Sequence, residues 1–242
     1  MPDRRAPYDE YDAFAAAYDK HWGFFADAIR PVLDRLALSG LADGETIIDL
    51  CCGAGHLAAS LSDRFDVIGI DGSGAMIQLA RGKAPLARFI VADARDFSVD
   101  TPAAAAISTF DSLNHVMTLD DLTEVFSRVR AALSHGGTFI FDLNMERGYE
   151  ERWGSGSWMS GDDRIEVEGT WDPVARIGTA DITVTPGDPN DEAVHVRLTQ
   201  RCYEQEDVIE ALTGAGFGHV TVFDGDQDLS FGGVGRSFFV AT

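Results

Sequence analysis

The chain has 242 residues, 45% of them apolar, which suits a folded globular protein with a sizeable core and excludes a disordered or fibrous chain. Its 40 acidic and 19 basic residues leave a net charge of −21, a surface that repels phosphate backbones and argues against nucleic acid and anionic membranes as partners. Three cysteines without metal-ligand or C-x-x-C spacing, no apolar run of membrane-spanning length, and no apolar segment after the charges of Met1 to Pro7 point to a cytoplasmic protein without a metal site.

In chain order, residues 8–22 place Tyr11, Phe14, Ala15, Tyr18 and Trp22 on one helical face. That face reads either as a core stripe or, from its aromatic tips, as a lid over a ligand. A second helical pattern follows through Leu36, in which Pro31 either kinks the helix or starts a fresh one. From Thr46 the pattern alternates between strand and helix: strands at 46–50, 66–70, 87–91, 103–108 and 138–143, with helices between most of them and a Ser73 cap before Met76. Such alternation predicts an α/β fold, a mostly parallel sheet with helices on both faces. After residue 150 the period changes to two. Segments 164–171, 176–185 and 193–200 read as a three-stranded antiparallel insertion, with a bulge near Asp181 where the apolar parity slips. A helix at 204–213, ended by Gly214 or Gly216, and two strands near 218–224 and 235–241 complete a seven-stranded sheet. The expected division is 1–40 helical, 41–150 with 201–242 as core, and 151–200 as insertion.

The organising stretch is Ile47-Ile48-Asp49-Leu50-Cys51-Cys52-Gly53-Ala54-Gly55-His56-Leu57-Ala58, a strand, a tight loop and a helix start laid end to end. Its Gly53-x-Gly55-x-x-Ala58 spacing fits a dinucleotide fingerprint, with Asp71 placed like a ribose-binding carboxylate, so a nicotinamide or flavin dehydrogenase competes. Asp49 argues against it: a carboxylate beside the loop repels a pyrophosphate and attracts an ammonium. Asp49, Asp71 and Asp93, at the ends of three successive strands, suit a ligand with a cationic end, a ribose and an adenine but no phosphate. S-adenosylmethionine is such a ligand.

From Asp49 through Val240 the chain resembles the class I S-adenosylmethionine-dependent methyltransferases, whose Rossmann-like sheet it would share. Their acidic-x-Gly-x-Gly-x-Gly motif is matched by Asp49 to Gly55, with Cys51 standing at the first glycine. The resemblance implies that Asp71 bonds the ribose hydroxyls and that Gly72 and Met76 line the adenosine. It further implies that Asp93, with Ala94, meets the adenine and that Phe110 touches the thioether end. A closer similarity is to small-molecule enzymes with an insertion after the fifth strand. Among them, N,N-dimethyltransferases of nucleotide-linked amino sugars are similar at Phe110-Asp111-Ser112-Leu113-Asn114-His115 and Gly235-Arg236-Ser237-Phe238-Phe239-Val240. Their tyrosine-rich first helix resembles Tyr11 and Tyr18, which favours the lid reading for 1–40.

The implied reaction is methyl transfer from S-adenosylmethionine, leaving S-adenosylhomocysteine, to an amine of a specialised metabolite, with a hydroxyl as the rival acceptor. Close alignment of the partners supplies most of the acceleration, and His115 is the candidate base, or else packs against or caps the next helix. Tyr11 and Tyr18 would exclude water and steer the methyl group. Asn114, Asp142, Tyr149 and Trp153 are the candidates for the acceptor site, and the exposed edges of the insertion would pair two copies into a homodimer.

Overall fold

The computed structural model describes residues 8–242; the first seven residues of the expected 1–40 unit lie outside it. Helices α1 (Tyr8–His21) and α2 (Phe24–Leu36) precede the sheet. Pro31 sits inside one continuous α2, so it starts no new helix. The alternating part runs β1 (Thr46–Leu50), α3 (His56–Leu61), β2 (Asp66–Asp71), α4 (Gly74–Lys83), β3 (Arg88–Val91), β4 (Ala103–Ser108), α5 (Leu119–Ala132) and β5 (Leu133–Asn144). Next come α6 (Glu146–Arg152), β6 (Gly156–Ser160), β7 (Asp163–Asp172), β8 (Ile177–Thr185) and β9 (Val194–Arg201). The chain closes with α7 (Gln205–Gly214), β10 (Val220–Asp224) and β11 (Arg236–Ala241).

The main sheet has seven strands in the order β10-β11-β5-β4-β1-β2-β3, and β11 runs antiparallel to both of its neighbours, β10 and β5. Its order reverses between β1 and β4, and the crevice at such a switch point is where open α/β sheets bind ligands. Ile47, Ile48 and Leu50 of β1 are fully buried, as a strand covered by helices on both faces requires. The Ser73 hydroxyl accepts the Met76 amide at 3.1 Å and caps α4, as its position before the helical run predicts. β5 begins earlier than its sequence pattern implies, because Gly136, at φ 77°, lets the chain bulge and re-enter the register beside β4.

The insertion corrects the sequence reading twice. It has four strands, in the order β6-β7-β8-β9, because an additional edge strand, Gly156-Ser157-Trp158-Met159-Ser160, pairs with β7. Four of its five residues are exposed, so no alternation of buried side chains marked it. There is also no bulge at Asp181: β8 pairs without a register shift, Asp181 opposite Glu168 and Arg197. Gly178 and Ala180 take the inward positions, and the apparent slip in parity came from counting Ile177 as inward.

Helix α1 lies between this second sheet and the glycine loop. Phe14, 1% exposed, packs with Ile165, Ala180, Ile182, Val184, Val196 and Leu198 of the insertion. At the far end of α1, His21 and Lys20 both reach the Asp163 carboxylate, at 2.8 and 2.7 Å. On the other side Asp12 accepts the Ser73 hydroxyl at 2.5 Å and the Ala75 amide at 3.1 Å. One aromatic stripe therefore serves as core for the insertion and as a wall facing the sheet.

Candidate active site

The loop after β1 turns by left-handed backbone at Cys51 (φ 59°), Gly53 (φ 52°) and Gly55 (φ 77°). A side chain on Gly55 would stand 2.7 Å from the Ala80 Cβ, so glycine there is what lets α3 start against α4. Cys51 adopts the same hand with a side chain, a conformation costing about 1–3 kcal/mol that folded proteins concentrate at functional sites. Below the loop, Asp49 is 2% exposed and its Oδ2 has no hydrogen-bond partner. Burial, and then the neighbouring Asp71, push its pKa up to about 7. A buried carboxylate of this kind, next to a loop that a ligand can approach, is a ready counter-ion for a cationic group.

Asp71 is tied to the same loop: Oδ2 accepts the Gly53 amide at 2.8 Å and Oδ1 the Ser73 amide at 2.9 Å. Burial raises its pKa against the pull of those amides. Asp93 goes the other way. Its burial is outweighed by the Arg95 guanidinium, which donates at 2.9 Å to Oδ1 and 2.6 Å to Oδ2, and its pKa falls below the usual range. Tyr8 lies against Gly72, where an added Cβ would come within 1.9 Å of its ring, and burial, with the nearby Asp93 charge, raises its pKa.

Opposite, the turn after β4 holds two consecutive left-handed residues, Phe110 (φ 63°) and Asp111 (φ 47°). Both are fixed by Asp142 of β5, whose carboxylate accepts the Phe110 amide at 2.8 Å and the Asp111 amide at 3.0 Å. Arg236 of β11 bonds the same Asp142 and, at 2.5 Å, Asp111 Oδ1. The other Asp111 oxygen accepts from Gln200 Nε2 at 2.5 Å, and Gln200 Oε1 accepts the Tyr149 hydroxyl at 2.9 Å. Burial works to raise the Asp111 pKa, but the Arg236 charge and the Gln200 hydrogen bond outweigh it and hold the carboxyl below its ordinary value. Asp142, more deeply buried, is shifted upward despite Arg236.

His115 has an assignable tautomer. Nδ1 is 2.9 Å from the Thr199 carbonyl, which can only accept, so Nδ1 carries the proton. Nε2 then presents its lone pair to the Tyr11 hydroxyl at 3.1 Å. Burial lowers the His115 pKa, which keeps the ring neutral at pH 7. Burial likewise raises the Tyr11 pKa well above its ordinary value, so the phenol keeps its proton and donates it to Nε2.

These elements enclose a cavity of about 1150 Å³. That exceeds the roughly 300–1,000 Å³ of an ordinary small-molecule pocket and leaves room for two ligands. Of the residues singled out in the sequence, Tyr11, Tyr18, Cys51, Gly53, Asp71, Gly72, Met76, Asp93, Ala94, Phe110, His115 and Trp153 line it. Asp49 and Gly53 line a small adjoining cleft of about 50 Å³ that shares Tyr18, Cys51 and Phe110 with the main cavity. Gly55, Asn114, Asp142 and Tyr149 do not line the main cavity. Asn114 is buried, donating to the Asn144 and Arg201 carbonyls at 3.1 and 2.8 Å, and Tyr149 stacks on Trp171. Tyr8, Asp111 and Gln200 line the cavity without having been marked in the sequence as site residues. Arg236 stands behind them. Asp111 and Arg236 were within the quoted motifs, but nothing local marks an ion pair that spans 125 residues.

Residues 47–137 match the methyltransferase domain family. A protein of Geobacillus sp. (strain WCH70) designated a methyltransferase is 26% identical over 86% of this chain and 88% of its own length. The dTDP-4-amino-2,3,4,6-tetradeoxy-D-glucose N,N-dimethyltransferase of Saccharopolyspora spinosa is 27% identical, over 55% of this chain and 53% of its own. Trans-aconitate 2-methyltransferases also match, over about half the chain. Among solved structures, an S-adenosylmethionine-dependent methyltransferase from Clostridium acetobutylicum ATCC 824 superimposes with a TM-score of 0.76 at 20% identity, covering 96% of this chain and 98% of that one.

Proposed function

We propose that this chain is a class I S-adenosylmethionine-dependent methyltransferase that methylates an amine nitrogen of a small specialised metabolite such as an amino sugar or an amino-acid-derived scaffold. The observation that carries the reading is the neutral His115, whose Nε2 lone pair is engaged by Tyr11 at the cavity wall.

The residues present fit the cofactor. Its ammonium would find the Asp49 carboxylate, whose Oδ2 has no hydrogen-bond partner, beside Cys51, Gly53 and Gly55, and its ribose would find Asp71. Gly72, Met76 and Ala94 would line the adenosine, with Asp93 and Tyr8 at its edge, and Tyr18 and Phe110 would flank the sulfur end. When bound, S-adenosylmethionine supplies an electrophilic methyl group. The chain's own part is to align an acceptor with it, exclude water with the aromatic face of α1, and take the acceptor's proton. Tyr11 passes its hydroxyl proton to His115 Nε2 and accepts the acceptor's proton in exchange. Asn114, Asp142 and Tyr149 hold this wall rather than touch the acceptor, whereas Trp153 faces it.

The test is a screen of amine- and hydroxyl-bearing small molecules with S-adenosylmethionine labelled in its methyl group. Labelled N-methyl product is the expected outcome, and transfer to oxygen alone would replace this reading with the hydroxyl one. With an accepted amine, His115→Ala should lower kcat by about 100-fold. It should also remove the acid limb of the rate profile. That limb falls below the ordinary histidine value of about 6.5, because the shift is downward.

A further inference from the structure

Where the candidate acceptor half is walled by side chains, they are mostly hydrocarbon. Phe14, Trp22, Trp153, Trp158, Val167, Ala180, Ile182 and Leu198 all face the cavity. Its polar contacts converge at one spot, where Asp111, Gln200, His115 and Tyr11 are linked by hydrogen bonds. At that spot Asp111 and Asp142 share the single guanidinium of Arg236, so the cluster holds two carboxyl groups to one cation, and Asp111 is the one of the two that lines the cavity. Beside it stand the rings of Tyr11, Tyr18 and Phe110, with centroids 6.2 Å apart for the first pair and 6.3 Å for the second. Ring faces of this kind attract cations.

The cavity is as plainly unsuited to phosphate. Among the described residues, Arg95 and Arg152 are the only arginines or lysines that line it, against the carboxylates of Asp71, Asp93, Asp111, Asp120 and Asp121. Arg95 is committed to Asp93 and Asp121, at 2.6 and 3.4 Å. Arg152, whose guanidinium reaches the Gly232 carbonyl at 3.5 Å, is a single further cation, so a diphosphate placed here would meet more carboxylates than cations, whereas its recognition needs several convergent cations or amides.

We infer that the acceptor is a cationic amine with an apolar body and no phosphate, not a nucleotide-linked sugar, and that the Asp111 carboxylate is the counter-ion that seats its ammonium against the Tyr11, Tyr18 and Phe110 rings. The inference rests on the amine reading above and narrows it: the amine arrives free of a nucleotide carrier. The aliphatic and indole surfaces of the insertion then select its body, and Asp111 selects the charge.

The experiment is equilibrium binding to the S-adenosylhomocysteine-loaded protein, followed by the fluorescence of Trp22, Trp153 and Trp158 and by calorimetry. The probes are N-methylphenethylamine, phenethyl alcohol, 2-phenylethyl phosphate and thymidine diphosphate. The amine is expected to bind at least tenfold more tightly than the alcohol, and the two phosphates more weakly than either. Asp111→Asn suits the left-handed backbone and keeps a polar side chain. It should abolish the preference of amine over alcohol while S-adenosylhomocysteine affinity stays within twofold. A phosphate that binds more tightly than the amine would overturn the inference. So would equal binding of amine and alcohol, a preference that survives in Asp111→Asn, or no amine binding at all. None of these readouts needs turnover, so failure of N-methyl transfer is scored separately by the labelled screen.

Discussion

Replacing Arg236 with methionine should lower the unfolding free energy by about 3–5 kcal/mol, the cost of removing one partner from a buried ionic cluster. The Arg236 side chain is 12% exposed and its two carboxylates 11% and 0%, so solvent takes up little of the loss. Methionine keeps the packing length but leaves Asp111 and Asp142 facing each other. Both carboxyls must then rise in pKa above the unfolded value of about 3.9. A folded pKa above the unfolded one means that the folded variant binds more protons, so its stability falls as pH rises through that interval. The deficit relative to the natural chain should accordingly be larger at pH 7.5 than at pH 5 in urea unfolding. Arg236→Lys keeps the charge without the two-pronged geometry and should recover part of the loss. Equal losses for lysine and methionine, or a loss independent of pH, would show that packing rather than charge holds this corner.

The second large effect is at Asp71. Its two oxygens hold the Gly53 and Ser73 amides, and in the proposed complex they also meet the ribose hydroxyls. Hydrogen bonds to a charged group contribute about 1.5–3 kcal/mol each. Asp71→Ala should therefore weaken S-adenosylhomocysteine about 100-fold, or ~2.7 kcal/mol. Calorimetric titration reads this directly, and circular dichroism checks that the fold survives. A dissociation constant within threefold of the natural chain's would remove Asp71 from the cofactor site.

The main sheet was legible because its signals are local. Ile47-Ile48, Val67-Ile68 and Phe139-Ile140-Phe141 are short apolar runs bounded by turn residues, and α4 and α5 carry their own caps in Ser73 and Thr118. β6 was not legible: it is held by backbone pairing to β7 and exposes most of its side chains, so its existence is a property of its neighbour. The residues of the proposed cofactor half could be singled out for the same reason as the sheet, since Asp49, Asp71 and Asp93 fall where three strands stop. The opposite wall depends on contacts between residues far apart in sequence. Gln200 meets Asp111 across 89 positions and Arg236 meets Asp142 across 94, and no spacing rule connects them. Asp142 shows the difference most clearly. Its place after an apolar run invited a substrate role, whereas its oxygens are spent on the amides of Phe110 and Asp111 and on Arg236. Cys51 is the intermediate case: the motif put glycine there, and the left-handed φ of 59° is the physical reason why.

Helix α1 is one continuous helix with one side on each half of the cavity, Asp12 against α4 and Phe14 against the insertion. Whatever free energy is needed to set it in place is common to both ligands. Once one ligand has met that cost, the other binds without it, and linkage requires the gain to be the same in either direction. Affinity for the amine probe, measured with and without S-adenosylhomocysteine, should change by the same factor as affinity for S-adenosylhomocysteine measured with and without the amine. Donor and acceptor are thus expected to recruit each other through the helix that both touch, and an acceptor arriving alone meets a weaker site.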